Sequence, residues 1–258
     1  MSSKCLSPRI LDIQQAIHDC DNESRTRILG DALANSVADG HYEDVAFLLE
    51  LGADTEFQAD SDRSMLVNAI TLHHHRIAML LIAYGANIHW TNTRGATPLH
   101  FAVDGQCMVM VEVLVGRHAN VNCTTNYGIT PLLLACQDAN HTILQYLLSH
   151  GATPNIGVKG WTPLHVASIH GDRIAIQQLI KHGAVQIPNE EGYTPLMLAA
   201  HNGSFETVQL LLNDETDFDQ ASIHGTIFDI TTDCAILDLL VEYDTNHPRI
   251  PRHLGCMA

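Results

Sequence analysis

Three consecutive histidines, His73-His74-His75, form the densest run of metal-capable side chains in this sequence, which carries 17 histidines and seven cysteines. A zinc centre needs four ligands at about 2.0–2.3 Å, and side chains adjacent in sequence rarely converge on one point. His41 occupies the position equivalent to His74, but stacked helical layers lie about 8–10 Å apart, too far to share an ion. A solvated turn without metal is therefore the expectation. The cysteines include no CxxC pair, and their odd number does not suit a disulfide framework. Free thiols imply a reducing compartment, cytoplasmic or nuclear. Cys136 replaces a small helix-facing residue and reads as buried and inert. Cys256 is third from the end, so a prenylation box is absent. No GxSxG, GxxxxGK[ST], GxGxxG or HExxH occurs. The expectation is a non-catalytic chain with no cofactor.

The elements that carry these residues repeat. GATPLHFAV (95–103) returns as GITPLLLAC at 128, GWTPLHVAS at 160 and GYTPLMLAA at 192. The central apolar residue falls at Leu33, Leu66, Leu99, Leu132, Leu164, Leu196 and Phe228, in steps of 33 and then 32. A second series runs Leu48-Leu49, Leu81-Ile82, Leu114-Val115, Leu147-Leu148, Leu179-Ile180 and Leu211-Leu212, and Gly-Ala steps close the units. Thr97, Thr130, Thr162 and Thr194 suit helix N-caps, each followed by proline at the first helical position. Leu and Ala spaced three to four residues apart line one face of a short helix. A turn, a second amphipathic helix and a glycine at C′ complete the unit. His118 and Glu215 replace that glycine, and His73, Gln106 and Ala139 replace the glycine between the two helices. Each costs about 1 kcal/mol if the left-handed backbone is kept, so the loops that follow in the third and sixth units are expected to be softer or distorted.

This pattern closely resembles the ankyrin repeat, whose signature G-x-T-P-L-H-x-A stands here as GATPLHFA and GWTPLHVA, with DVAFLLELGAD at 44–54. The resemblance implies an all-α solenoid of stacked antiparallel helix pairs with projecting β-hairpin-like finger loops, in one array. The expected units are an N-terminal capping half-repeat over 1–30, six repeats (31–57, 58–90, 91–123, 124–156, 157–188 and 189–218), a degenerate capping repeat over 219–246 and a tail over 247–258. In the capping repeat the spacing shrinks to 29 residues, which reads as three residues lost from the inter-helix turn. By the same resemblance, His100 and His165 hydrogen-bond between neighbouring fingers, and Asn122 and Asn155 stand where the family can be hydroxylated.

The composition limits the class of function. The formal charge is −16 and 46% of residues are hydrophobic, too apolar for a disordered chain. Residues 1–62 hold 13 acids and 4 bases, residues 63–189 hold 4 and 7, and residues 190–258 hold 12 and 2. An acidic balance disfavours direct nucleic-acid contact. No apolar run is long enough to insert into a membrane, and the N-terminal segment lacks a secretion h-region. The family resemblance implies a protein or peptide partner docking on the finger tips and the exposed first-helix ends of a monomer. Those positions hold Arg94, Tyr127, Ile129, Trp161 and Tyr193 on the fingers and Ile169, His170 and His201 on the helices. Scaffold, adaptor or inhibitor is the function implied. A recognition subunit of a larger enzyme assembly such as a ubiquitin ligase, and a pathogen or host-directed effector, stay open.

Overall fold

The computed structural model describes Ile10, Ile13, Ala16, Ile17 and residues 21–57, 62–213 and 216–246. Ser7-Pro8, whose types suit an N-cap and first helical position, Glu215 and the tail over 247–258 lie outside the described residues. The architecture is the all-α stack of helix pairs that the repeats predict, and among the described residues extended backbone pairs only at two isolated bridges, Val158↔Trp161 and Ser222↔Gly225. The chain divides into two compact units, Met1–Leu134 and Ala135–Ala258.

The first unit contains α1 (Asn22–Asp39), α2 (Tyr42–Glu50), α3 (Met65–Thr71), α4 (His75–Ala83), α5 (Pro98–Asp104), α6 (Met108–Gly116) and the start of α7 (Pro131–Gln137). The second contains the end of α7, then α8 (His141–Ser149), α9 (Pro163–Ile169), α10 (Arg173–Lys181), α11 (Pro195–His201), α12 (Phe205–Leu211), α13 (Ile227–Ile230) and α14 (Cys234–Asn246). Within the first unit α3 packs on α1 and α5, and α4 packs on α2 and α6. Within the second α11 packs on α9 and α13, and α10 packs on α8 and α12. First helices thus stack on first helices and second helices on second. Ala69, Ala102, Ala167 and Ala199 are all 0% exposed, because a methyl group is what the close approach of neighbouring first helices admits.

Thr97 and Thr162 cap their helices with Pro98 and Pro163 in the first turn, and His100 and His165 close the capping boxes. The helix α1 starts at Asn22 and runs 18 residues, whereas the proline-initiated first helices have seven. Its N-terminus is set by Asp21, whose carboxylate accepts from Ser24 N at 2.8 Å. A Cβ on Gly30 would lie 2.2 Å from the Phe57 ring, so this helix carries glycine where the following loop crosses it.

The glycine substitutes behave unequally. His73, Gln106, His118 and Ala139 keep the left-handed backbone, with φ of 59°, 51°, 67° and 50°. The finger after His118 is undistorted, with Thr125 N donating to Ile129 O at 2.9 Å, which corrects the expectation of a deformed repeat 3. Strain is stored there instead. Gln106→Gly and His118→Gly should therefore each raise unfolding stability by about 1 kcal/mol. Urea midpoints that do not rise would contradict stored strain at these turns. Repeat 6 takes the other course: α12 ends at Leu211, and its cap Leu212 is already extended at φ −64°, ψ 127°. Its counterpart α10 continues to Lys181, equivalent to position 213.

The last helix pair, α13 and α14, corrects a second expectation. Its missing residues come from the first helix, because α13 has four residues instead of seven, while the three-residue connection to α14 is retained. Asp233 Oδ1 accepts from Ala235 N and Ile236 N at 2.8 and 3.1 Å, starting α14 at the usual distance from the end of α13.

Candidate functional site

The finger loops are shaped by side chains that hold the main chain. In the first unit Asn92 Oδ1 accepts from Arg94 N and Ala96 N at 3.0 and 2.8 Å. Thr125 Oγ1 does the same for Tyr127 N and Ile129 N at 3.3 and 3.1 Å. Successive fingers are tied together where Asn126 N donates to Arg94 O at 2.8 Å and Asn126 Nδ2 to Thr93 O at 3.0 Å. The Arg94 main chain is engaged while its side chain stays exposed. Tyr127 is 64% exposed, and Ile129 is half-buried.

In the second unit two fingers close more tightly, at 158–161 and at 222–225. Val158 N donates to Trp161 O at 3.2 Å and Trp161 N to Val158 O at 2.8 Å. Between them Lys159 and Gly160 both have positive φ, 50° and 79°, the signature of a two-residue type I′ hairpin. A Cβ on Gly160 would meet Asn189 Cα at 2.7 Å, so this position admits the next finger only as glycine. Asn189 Oδ1 then accepts from Glu191 N and Tyr193 N at 3.0 and 2.9 Å. Trp161 and Tyr193 are both half-buried. The Trp161 ring lies 5.7 Å from that of His165, and the Tyr193 ring 5.9 Å from that of His224, to which the tyrosine hydroxyl is hydrogen-bonded. Among the ring contacts of the described residues, each aromatic thus pairs with an imidazole and not with the other aromatic.

Ile169, His170 and His201 occupy the exposed ends of α9 and α11. Asn202 Nδ2 donates to Ile169 O at 2.8 Å and His201 Nδ1 approaches Ile230 O at 3.4 Å. Ile169 nevertheless remains 37% exposed. Asn155 spans two repeats, with its Nδ2 donating to Gly183 O at 3.0 Å and its Oδ1 accepting from Val185 N at 3.0 Å. Asn122 is half-buried, its N–H bound to Asn120 Oδ1 at 2.9 Å.

The TPLH histidines make the inter-finger bonds that the resemblance implies. His100 Nε2 donates to Ile129 O at 3.0 Å and His165 Nε2 to Tyr193 O at 3.0 Å. Each Nδ1 accepts the backbone N–H of its capping threonine at 3.1 Å, so the neutral Nε2–H tautomer is required. Burial pushes both imidazoles below the ordinary value of 6.5, against the opposing pull of the bonded carbonyls. Unfolding therefore takes up protons below about pH 6.5. The stability these two residues contribute is complete above that pH and is lost as pH falls towards their lowered folded values. Urea midpoints should fall between about pH 7.5 and about pH 5.5, and less steeply in a His100→Leu, His165→Leu variant. Parallel profiles for the two proteins would contradict this assignment. Asp229 takes the same capping role in the last repeat, accepting from Thr226 Oγ1 and Thr226 N at 2.8 Å each. The hydroxyl bond, followed by the amide bond, holds its carboxyl below the ordinary value.

The turn histidines remain in contact with water, His73 exposed and His74 and His75 half-buried, and make a few local contacts. His74 Nε2 donates to Ala38 O at 3.4 Å, and His75 lies 3.5 Å from Cys107 Sγ and edge-on to His73. Among the described residues no three His, Cys, Asp or Glu side chains are placed to share an ion. Cys136 is 1% exposed and its thiol is pushed well above the ordinary value, first by burial and then by Asp172. The pair His141 Nε2–Asp172 Oδ2 at 2.7 Å was not anticipated. Its available signal was the 31-residue separation, one repeat less one residue, between two positions that begin second helices.

This geometry has known counterparts. A family model described as Ankyrin repeats (3 copies) matches residues 33–125, 66–158, 104–185 and 155–222. Among solved structures, the ankyrin repeat domain of Bcl-3, a member of the IkappaB protein family, superposes with a TM-score of 0.73 at 21% identity, over 81% of this chain and 97% of that one. At that identity the likeness is one of fold. No curated protein sequence matches the chain. Overlapping matches from residue 33 to 222, with the TPLH bonding and helix pairing above, establish that the chain belongs to the ankyrin-repeat family.

Proposed function

We propose that this chain is a non-catalytic protein-binding module, a scaffold, adaptor or inhibitor, that takes a protein or peptide partner on its finger tips and exposed first-helix ends. Ankyrin repeats are generally protein-interaction modules, and function lives in sites carried on a fold. The observation that carries the reading is the contrast at Tyr127. Its finger is held by Thr125 and the following first helix begins at the buried Thr130–Pro131 pair, yet its side chain remains 64% exposed. A rigid backbone presenting an exposed aromatic loses little entropy on binding. Arg94 and Ile129 accompany Tyr127 in the first unit, and Trp161, Ile169, His170, Tyr193 and His201 are the corresponding candidate contacts of the second. It acts as a monomer in the cytoplasm or nucleus. Among the described residues no helix is long and apolar enough to cross a membrane.

The test is affinity capture from the native cells with the wild-type chain and a Tyr127→Ala, Ile169→Asp variant, followed by mass spectrometry. The reading predicts at least one protein retained by the first and lost by the second; identical sets would overturn it. Asn122 and Asn155 are the proposed hydroxylation positions, and the same spectra would close that idea by showing both peptides unmodified.

A further inference from the structure

The early end of α12 leaves space. Where the second helix of repeat 6 stops at Leu211, a cavity of about 490 Å³ opens, with a wall of mixed character in which Ile180, Val185, Leu210 and Phe218 alternate with polar side chains such as Gln186 and Asp217. The volume lies within the range of about 300–1,000 Å³ usual for ligand pockets. At its mouth Ile180 and Val185 are 42% and 49% exposed, leaving apolar surface in water. Leu211, Met197 and Phe218 are buried core residues at 1%, 2% and 4%, so the cavity reaches down to the core of this unit. A feature of the sequence around it narrows the occupant. From residue 182 to 248 the chain has twelve Asp and Glu and no Lys or Arg, and Asp217 forms part of the wall.

We infer that this cavity is a docking site for a basic peptide segment of a partner protein, one that presents a leucine-sized apolar side chain between Lys or Arg residues. The apolar side chain enters against Ile180, Leu210 and Phe218 and removes the exposed Val185 and Ile180 surface from water. The flanking cations face Asp217 and the net negative charge of residues 182–248, which the neighbouring Lys181 offsets only in part, and charge complementarity there speeds encounter and rejects acidic segments. The site stands apart from the residues of the finger-tip reading above and does not depend on it.

The experiment is a fluorescence-anisotropy titration of the full chain with labelled Arg-Lys-Leu-Arg-Lys. Two controls accompany it, the analogue with glycine for leucine and the acidic counterpart Glu-Asp-Leu-Glu-Asp. Saturable binding is expected for the first, with at least ~10-fold weaker binding of the glycine analogue, the loss expected when one leucine side chain stays in water. Val185→Trp, which plugs the mouth from a half-exposed position, should weaken the leucine peptide by ~10-fold without changing the circular-dichroism melt. Asp217→Lys, a surface change that leaves the core intact, should weaken it by ~3-fold or more and reduce its salt dependence. The inference is overturned by absence of saturable binding, by equal affinity for the glycine analogue, by equal affinity for the acidic peptide, or by full affinity in the Val185→Trp protein.

Discussion

Replacing His165 with leucine should lower the unfolding free energy by about 3 kcal/mol. The imidazole is 0% exposed and joins two fingers through bonds at 3.1 Å from Thr162 N and 3.0 Å to Tyr193 O. Leucine is similar in bulk but leaves a donor and an acceptor without partners, and each such group costs about 1–3 kcal/mol when buried. The chain itself supplies the comparison. Met197 stands at the equivalent position, where Thr194 N reaches only its sulfur at 3.5 Å, and Leu133 replaces the imidazole one repeat before His165. Those repeats fold without the inter-finger imidazole, so the penalty arises from removing one partner of a formed network. Urea denaturation of His165→Leu with a loss below about 1 kcal/mol would show that the carbonyl and amide find other partners.

The repeat register, the Thr-Pro helix starts and the left-handed turns were legible because each depends on one residue type at one spacing. His73, Gln106 and Ala139 show how far that logic extends: the turn geometry persists after glycine is gone. What escaped depends on competition between elements. The last first helix lost a turn because Ile230, Thr231 and Thr232 favour extended backbone and Asp233 begins the next helix regardless. The Lys159-Gly160 hairpin was hidden because lysine is not a usual first residue of a type I′ turn. The 32-residue step before it does not mark it either, because the finger at Asn189–Tyr193 follows the same step and keeps the wider turn. Candidate site positions could be assigned by register, but their surroundings could not. His224, which binds the Tyr193 hydroxyl, lies one repeat further along, and register alone does not show which side chain of that finger turns towards Tyr193.

The most direct test of finger-tip binding is a Trp161→Ala, Tyr193→Ala double variant, measured for affinity towards a captured partner and for thermal stability on the same sample. Both rings are half-buried, each against a histidine, and both are carried by main chain that alanine leaves intact, since the bonds of Val158, Asn189 and His165 to these residues involve backbone atoms. Large aromatic anchors dominate binding energy where they meet a partner. The account predicts affinity weaker by at least ~2 kcal/mol, about 30-fold, with a melting temperature lowered by only a few degrees, ~1 kcal/mol of lost ring contacts. An unchanged dissociation constant alongside a large fall in melting temperature would contradict it, and would make Trp161 and Tyr193 braces between fingers instead of contacts for a partner.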